Sequence, residues 1–116
     1  MAADIVIYHN PRCSTSRKTL EFLRARGIEP QIVKYLDAPL NQKQILALID
    51  MLGVAPGALL RTREAQYAAL ELSARSSKTE VARAIAAHPV LLERPIVVHA
   101  GKARIGRPPE RVLEIL

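Results

Sequence analysis

The first apolar run of the chain is DIVIY, Asp4 to Tyr8, β-rich and without helical spacing, so it predicts a buried strand. Asn10 and Pro11 break it. The period then changes. In STSRKTLEFLRARG, Leu20 and Leu23 fall on one face of a helix, Ser14, Thr15 or Ser16 can cap it, and Gly27 ends it. PQIVKYL predicts a second strand, Gln31 to Leu36. In NQKQILALIDMLG, the residues Ile45, Leu48, Ile49 and Leu52 form an apolar stripe. Asn41 and Gln44 have the spacing of a capping box, and Gly53 closes the helix. APGALLRTREAQYAAL has no sustained period and reads as short helical or irregular chain. SKTEVARAIAAHP is a further helix, with Ser77 and Glu80 as its capping box and its end before Pro89.

The last stretch returns to strands. IVVHA reads as a strand, Gly101 and Lys102 as a turn, and ARIG as its hairpin partner. A final helix starts at Pro108 and Pro109, with Val112, Leu113 and Leu116 as its apolar side. The order is βαβ, then helices, then ββα. That order predicts an α/β chain with a thioredoxin-like fold, a single domain over 1–116 with a helical insertion at about 41–90. In such a fold a cis-proline precedes the strand that faces the nucleophile. RPIVV is the X-Pro of the second half that runs directly into a strand, so Arg94–Pro95 is expected to be cis.

Composition narrows the functional classes. The 116 residues fit one domain. No run of eighteen apolar residues is present, so no membrane span is expected, and MAADIVIYHN lacks the basic start of a signal peptide. The net charge is +6, from 17 Lys and Arg against 11 Asp and Glu. An anionic partner fits that balance. Basic residues do not cluster and aromatics are not interleaved with them, so nucleic acid is not the expected one. One cysteine cannot form an internal disulfide, which points to a reducing, cytoplasmic setting.

That cysteine, Cys13, lies in YHNPRCSTSRKTL at a strand-to-helix junction. Amides at a helix start carry partial positive charge and favour a thiolate. Ser14, Ser16 and the backbone amides of the turn can form an anion nest, while His9, Arg12 and Arg17 add positive or polarisable groups. A thiolate beside an anion-binding turn suggests attack on an oxyanion. A lone cysteine is otherwise a small buried hydrophobe, a reading that its polar neighbours weaken. The position six residues on, where a phosphatase loop needs arginine, is Thr19. Asn10 and Ser16 occupy the places that a CxxC pair would need. Any redox cycle therefore requires an external thiol. Three arginines stand apart: Arg61 after GALL, Arg94 in LLERPIVV and Arg107 in IGRPP. A forked guanidinium suits a tetrahedral oxyanion, although each taken singly also reads as a surface charge.

YHNPRCSTSRKTL, ALLRTRE, HPVLLERPIVV and GRPPERVLEIL together resemble the ArsC arsenate reductase family of the glutathione- and glutaredoxin-coupled type, from about Ile5 to Leu116. The resemblance implies a thioredoxin-like fold with a helical insertion. It implies Cys13 as the nucleophile and Arg61, Arg94 and Arg107 as oxyanion-binding residues. His9 is implied to support the thiolate, with Asn10, Ser16 and Arg17 as further supporting residues of the same motif. It further implies a thioarsenate adduct on Cys13, attack by glutathione, reduction by glutaredoxin and release of arsenite. No metal or bound organic cofactor is implied; glutathione is a co-substrate. The chain departs from the family's common pattern at Ser14, often glycine, and at Gly106, where a bulkier residue can stand. Two other readings share the framework. One is an Spx-type transcription regulator that binds RNA polymerase; Asn10 in place of the first CxxC cysteine and the three retained arginines speak against it. The other is a related thiol-dependent oxidoreductase with a different substrate.

Overall fold

The first apolar run forms β1, Ile5–His9, one residue later than DIVIY suggests, so His9 closes the strand. The computed structural model describes residues 4–116; of the N-terminal stretch MAADIVIYHN, the first three residues lie outside the described residues. The chain divides into two units, residues 4–38 with Arg94–Leu116, and Pro39–Glu93.

In the first unit, β1 runs parallel to β2, Gln31–Lys34, with Val6 opposite Gln31 and His9 opposite Lys34. β2 stops short of Leu36 because the chain turns: the amides of Asp37 and Ala38 both donate to the Lys34 carbonyl, at 3.0 and 2.9 Å. On its other side β1 pairs antiparallel with β3, Ile96–His99, which pairs antiparallel with β4, Lys102–Ile105. The sheet order is β2-β1-β3-β4. With α1, Ser14–Ala25, between β1 and β2, this is a thioredoxin-like βαβ…ββα arrangement.

The strands alternate as a half-buried sheet must. Ile5, Ile7 and His9 are the buried positions of β1, and Val6 and Tyr8 lie between them on the other face. Ile5 and Ile7 pack with Leu20 and Leu23 of α1, Val97 of β3, and Val112 and Ile115 near the C-terminus. Full burial of one such side chain contributes about 1.5–3 kcal/mol. His9 thus follows two core residues on the same face and is carried inside by the strand period.

Two local expectations are corrected. The hairpin turn is Ala100–Gly101, not Gly101–Lys102; His99 faces Lys102 across a two-residue loop. Both turn residues have positive φ, 51° and 78°, as a type I′ turn requires. The last helix is a 3₁₀ helix, Pro109–Ile115. Three residues per turn put Val112 and Ile115 on one line. They are 0% and 6% exposed, whereas Leu113 and Leu116, chosen on an α-helical period, are each 41% exposed.

In the second unit α2, Gln42–Leu52, and α4, Lys78–Ala87, carry the expected capping boxes from Asn41 with Gln44 and from Ser77 with Glu80. Gly53 ends α2 in the left-handed region. The irregular stretch resolves into a 3₁₀ turn, Pro56–Leu59, and a single-turn helix α3, Ala65–Ala69. Leu60 and Leu92 form an antiparallel bridge, flanked by bonds from Arg61 N to Leu91 O and from Glu93 N to Leu59 O. Among the described residues no helix is long and apolar enough to cross a membrane.

Candidate active site

The loop from β1 to α1 is built by its own polar residues. The Asn10 carbonyl accepts from the Cys13 amide at 3.0 Å, and its side-chain oxygen accepts from the Arg12 amide at 3.0 Å. The Arg17 guanidinium donates back to the Pro11 carbonyl at 2.8 Å. Asn10 and Arg17 therefore fix the shape of the turn that presents Cys13. The N-cap of α1 is Cys13 itself, and no side chain caps it. The expectation of a hydroxyl cap at Ser14, Thr15 or Ser16 fails because the helix begins one residue before those hydroxyls can reach back.

Ser16 is fully buried. Its Oγ is 2.7 Å from His9 Nδ1 and accepts from the Asn10 amide at 3.1 Å. Its hydroxyl thus ties β1, the loop and α1 together, and it is the Ser16 backbone amide that serves the thiol. The surroundings of His9 favour its neutral form. Burial, then the positive charges of Lys34, Arg24 and Arg17, push its pKa below the ordinary histidine value. A neutral imidazole suits a buried position in hydrogen contact with a hydroxyl.

Cys13 is 8% exposed. Burial alone pushes its thiol pKa up; a hydrogen bond from Arg94, the Ser16 amide, the Arg94 charge and the Thr15 amide outweigh it, and the net direction is down. The direction is the expected one, and two helix-start amides contribute as expected; the arginine on the sulfur is Arg94, and His9 is not among the groups that act on it.

Arg94 lies just before β3, and the Arg94–Pro95 bond is cis, as expected; Arg107–Pro108 is also cis. Arg107, just after β4, donates from Nη1 to Thr15 Oγ1 at 3.2 Å, in the first turn of the helix that Cys13 caps. Two of the three arginines therefore gather at the start of α1. Arg61 lies in the second unit, where its Nε donates to Glu64 at 3.2 Å and its Nη1 pairs with Glu93 at 3.6 Å. Among the described residues no group of His, Cys, Asp or Glu side chains has the makings of a metal site.

Sequence reasoning missed Thr15 and Thr19 as parts of this assembly. Thr19 is fully buried and bonds from its hydroxyl to the Thr15 and Gly106 carbonyls. The signal was available: the buried stripe of α1 is Ser16, Thr19, Leu20, Leu23, so the face that is apolar at its C-terminal end turns polar toward Cys13. Chemically, the site offers a thiol of lowered pKa at a helix start, with one guanidinium on the sulfur and a second bonded within the same first turn.

The sequence matches the model of the ArsC family over residues 8–115, a span that contains Cys13, Arg94 and Arg107. The chain belongs to the ArsC family. Within it, an uncharacterized protein of Escherichia coli, YfgD, is 47% identical over 118 residues, covering 100% of this chain and 99% of its own. An arsenate reductase of Haemophilus influenzae is 43% identical over 114 residues, covering 97% of this chain and 98% of its own. The solved structure of an arsenate reductase from Vibrio cholerae matches with a TM-score of 0.93 at 47% identity, over the whole of both chains. The ArsC chain thus shares both its fold and its full length with relatives that carry the arsenate reductase name.

Proposed function

We propose that this ArsC-family chain is an arsenate reductase that uses Cys13 as its nucleophile and takes its electrons from glutathione and glutaredoxin. The observation that carries the reading is the hydrogen bond from Arg94 to the Cys13 thiol at the start of α1, with Arg107 held on the same helical turn. The named relatives support the choice of arsenate among oxyanions.

The Cys13 thiolate attacks arsenic and displaces an arsenate hydroxyl, which leaves as water with a proton taken from solvent, giving a thioarsenate adduct. Arg94 and Arg107 hold the oxygens, and the helix-start amides offset their charge. Glutathione attacks the adduct, glutaredoxin reduces the mixed species, and arsenite leaves. The net reaction balances as arsenate plus two thiols giving arsenite, one disulfide and water: arsenic gains two electrons and two sulfurs lose one each. The chain has a single cysteine, so the second sulfur comes from outside. The thiols supply both electrons, so the scheme uses no bound metal or organic cofactor, and its thiol donors belong to the cytoplasm. The family motif adds Arg61 as a third oxyanion ligand.

The test is arsenate-dependent NADPH oxidation with glutathione, glutaredoxin and glutathione reductase, with Cys13→Ser as the blank. Arg94→Lys and Arg107→Lys keep the charge and lose the fork. Each is expected to lower kcat/KM about tenfold to a hundredfold, the equivalent of a charge-assisted hydrogen bond of roughly 1.5–3 kcal/mol. Arg61→Lys tests its assignment separately. Turnover by Cys13→Ser, or wild-type efficiency in both of the first two lysine variants, overturns the proposal.

A further inference from the structure

Two polar residues interrupt the buried stripe of α1. Ser16 serves His9 and Asn10. Thr19 is fully buried, and its single hydroxyl proton faces two carbonyls: Thr15 O at 2.9 Å and Gly106 O at 3.2 Å. The first contact is internal to the helix. The second crosses to the residue immediately before Arg107. Gly106 is gripped on its other side too, where its amide donates to the Pro95 carbonyl at 2.9 Å, next to Arg94. There is no room for a side chain at this crossing. A Cβ on Gly106 would lie 2.8 Å from Thr19 Oγ1, 2.9 Å from Thr19 Cγ2 and 3.1 Å from Pro95 Cγ. One turn earlier on the same helix, Thr15 Oγ1 receives the Arg107 guanidinium.

We propose that Thr19 and Gly106 form a positioning joint, which sets how far Arg94 and Arg107 stand from the thiol that α1 carries. The joint touches neither the sulfur nor the anion. It fixes the backbone from which both arginines spring, against the helix whose first turn they address. Thr19 occupies the place six residues after the cysteine where a phosphatase loop would use arginine as a ligand. Here that place holds the scaffold, and the guanidiniums come from other segments. The inference rests on the arsenate reading only for what the guanidiniums hold; their placement against Cys13 is a separate matter, and so is its test.

The experiment compares Thr19→Ser, Thr19→Val, Thr19→Ala, Gly106→Ala and the double variant Thr19→Ala/Gly106→Ala. The first readout is the pH midpoint of Cys13 alkylation by iodoacetamide with no arsenate present, which reports the Arg94 contact. The second is KM against kcat for arsenate in the coupled assay. Thr19→Val keeps the shape and loses the bond. It is expected to raise the alkylation midpoint by about half a pH unit and to lower kcat/KM up to about tenfold, mainly through KM. Thr19→Ser, which keeps the hydroxyl, restores both. Gly106→Ala is worse than Thr19→Val, and the double variant matches Thr19→Ala, because the space left by Thr19 receives the new methyl. A merely structural role would lower thermal stability and leave the midpoint of the folded protein where it was. The joint is overturned by a wild-type midpoint in both Thr19→Val and Thr19→Ala, by failure of Thr19→Ser to restore it, or by additive losses in the double variant. Absence of arsenate turnover in the wild type would defeat the arsenate reading alone, since the alkylation midpoints still judge the joint.

Discussion

Replacing Arg94 by glutamine removes the largest group that favours the Cys13 thiolate. Burial raises the thiol pKa, and the opposing groups are the Arg94 hydrogen bond and charge with the amides of Ser16 and Thr15. A charge-assisted hydrogen bond is worth roughly 1.5–3 kcal/mol, against about 0.3–1 kcal/mol for a charge at a helix end. At 1.36 kcal/mol per pH unit, losing the guanidinium moves the thiol up by about one to two units. Two amides then stand against burial alone. The midpoint in Arg94→Gln is expected above that of the wild type, at or above the free cysteine value of about 8.5. Arg94→Lys keeps the charge and recovers part of the shift. The assay is the rate of iodoacetamide alkylation across pH, with mass spectrometry to confirm a single modified residue. An Arg94→Gln midpoint equal to that of the wild type would refute the reasoning, and would assign the thiolate to the helix start alone.

His9 makes stability pH-dependent. Its pKa is lowered in the folded protein, first by burial and then by Lys34, Arg24 and Arg17, so below about pH 6.5 the unfolded chain takes up a proton that the folded chain refuses. The contribution is complete above that pH and is lost as pH falls toward the folded value. Urea midpoints at pH 7.5 and 5.5 should show this loss, and His9→Gln, which does not titrate, should show less of it. In the hairpin, Ala100 has φ of 51°, a region that costs a residue with a Cβ about 1–2 kcal/mol. Ala100→Gly is expected to leave β3–β4 pairing intact and to raise stability by up to about 1 kcal/mol in urea denaturation, the gain being reduced by the freedom of glycine in the unfolded chain; a lower urea midpoint would count against the turn geometry.

The local order of the elements was legible in the chain because period and capping are local properties. The switch from DIVIY to the Leu20–Leu23 spacing marks β1 and α1, and the Asn41–Gln44 and Ser77–Glu80 pairs mark two helix starts at the observed residues. The thiol at a strand-to-helix junction was legible for the same reason. Where a one-residue choice decided the outcome, tertiary contacts made it. Val112 and Ile115 prevail over Leu113 and Leu116 because the core beside Ile5 and Ile7 selects a three-residue period. The sequence leaves His9 as a positive or polarisable group, and the structure favours its neutral form, because the strand period carries it inside and other positive charges lie near it. The largest step beyond the sequence is the gathering of Arg94 and Arg107 at the start of α1. Cys13 lies more than eighty residues from either. Their approach depends on β3 pairing beside β1 and on a glycine backbone lying against Thr19, two non-local contacts that no local pattern of residues encodes.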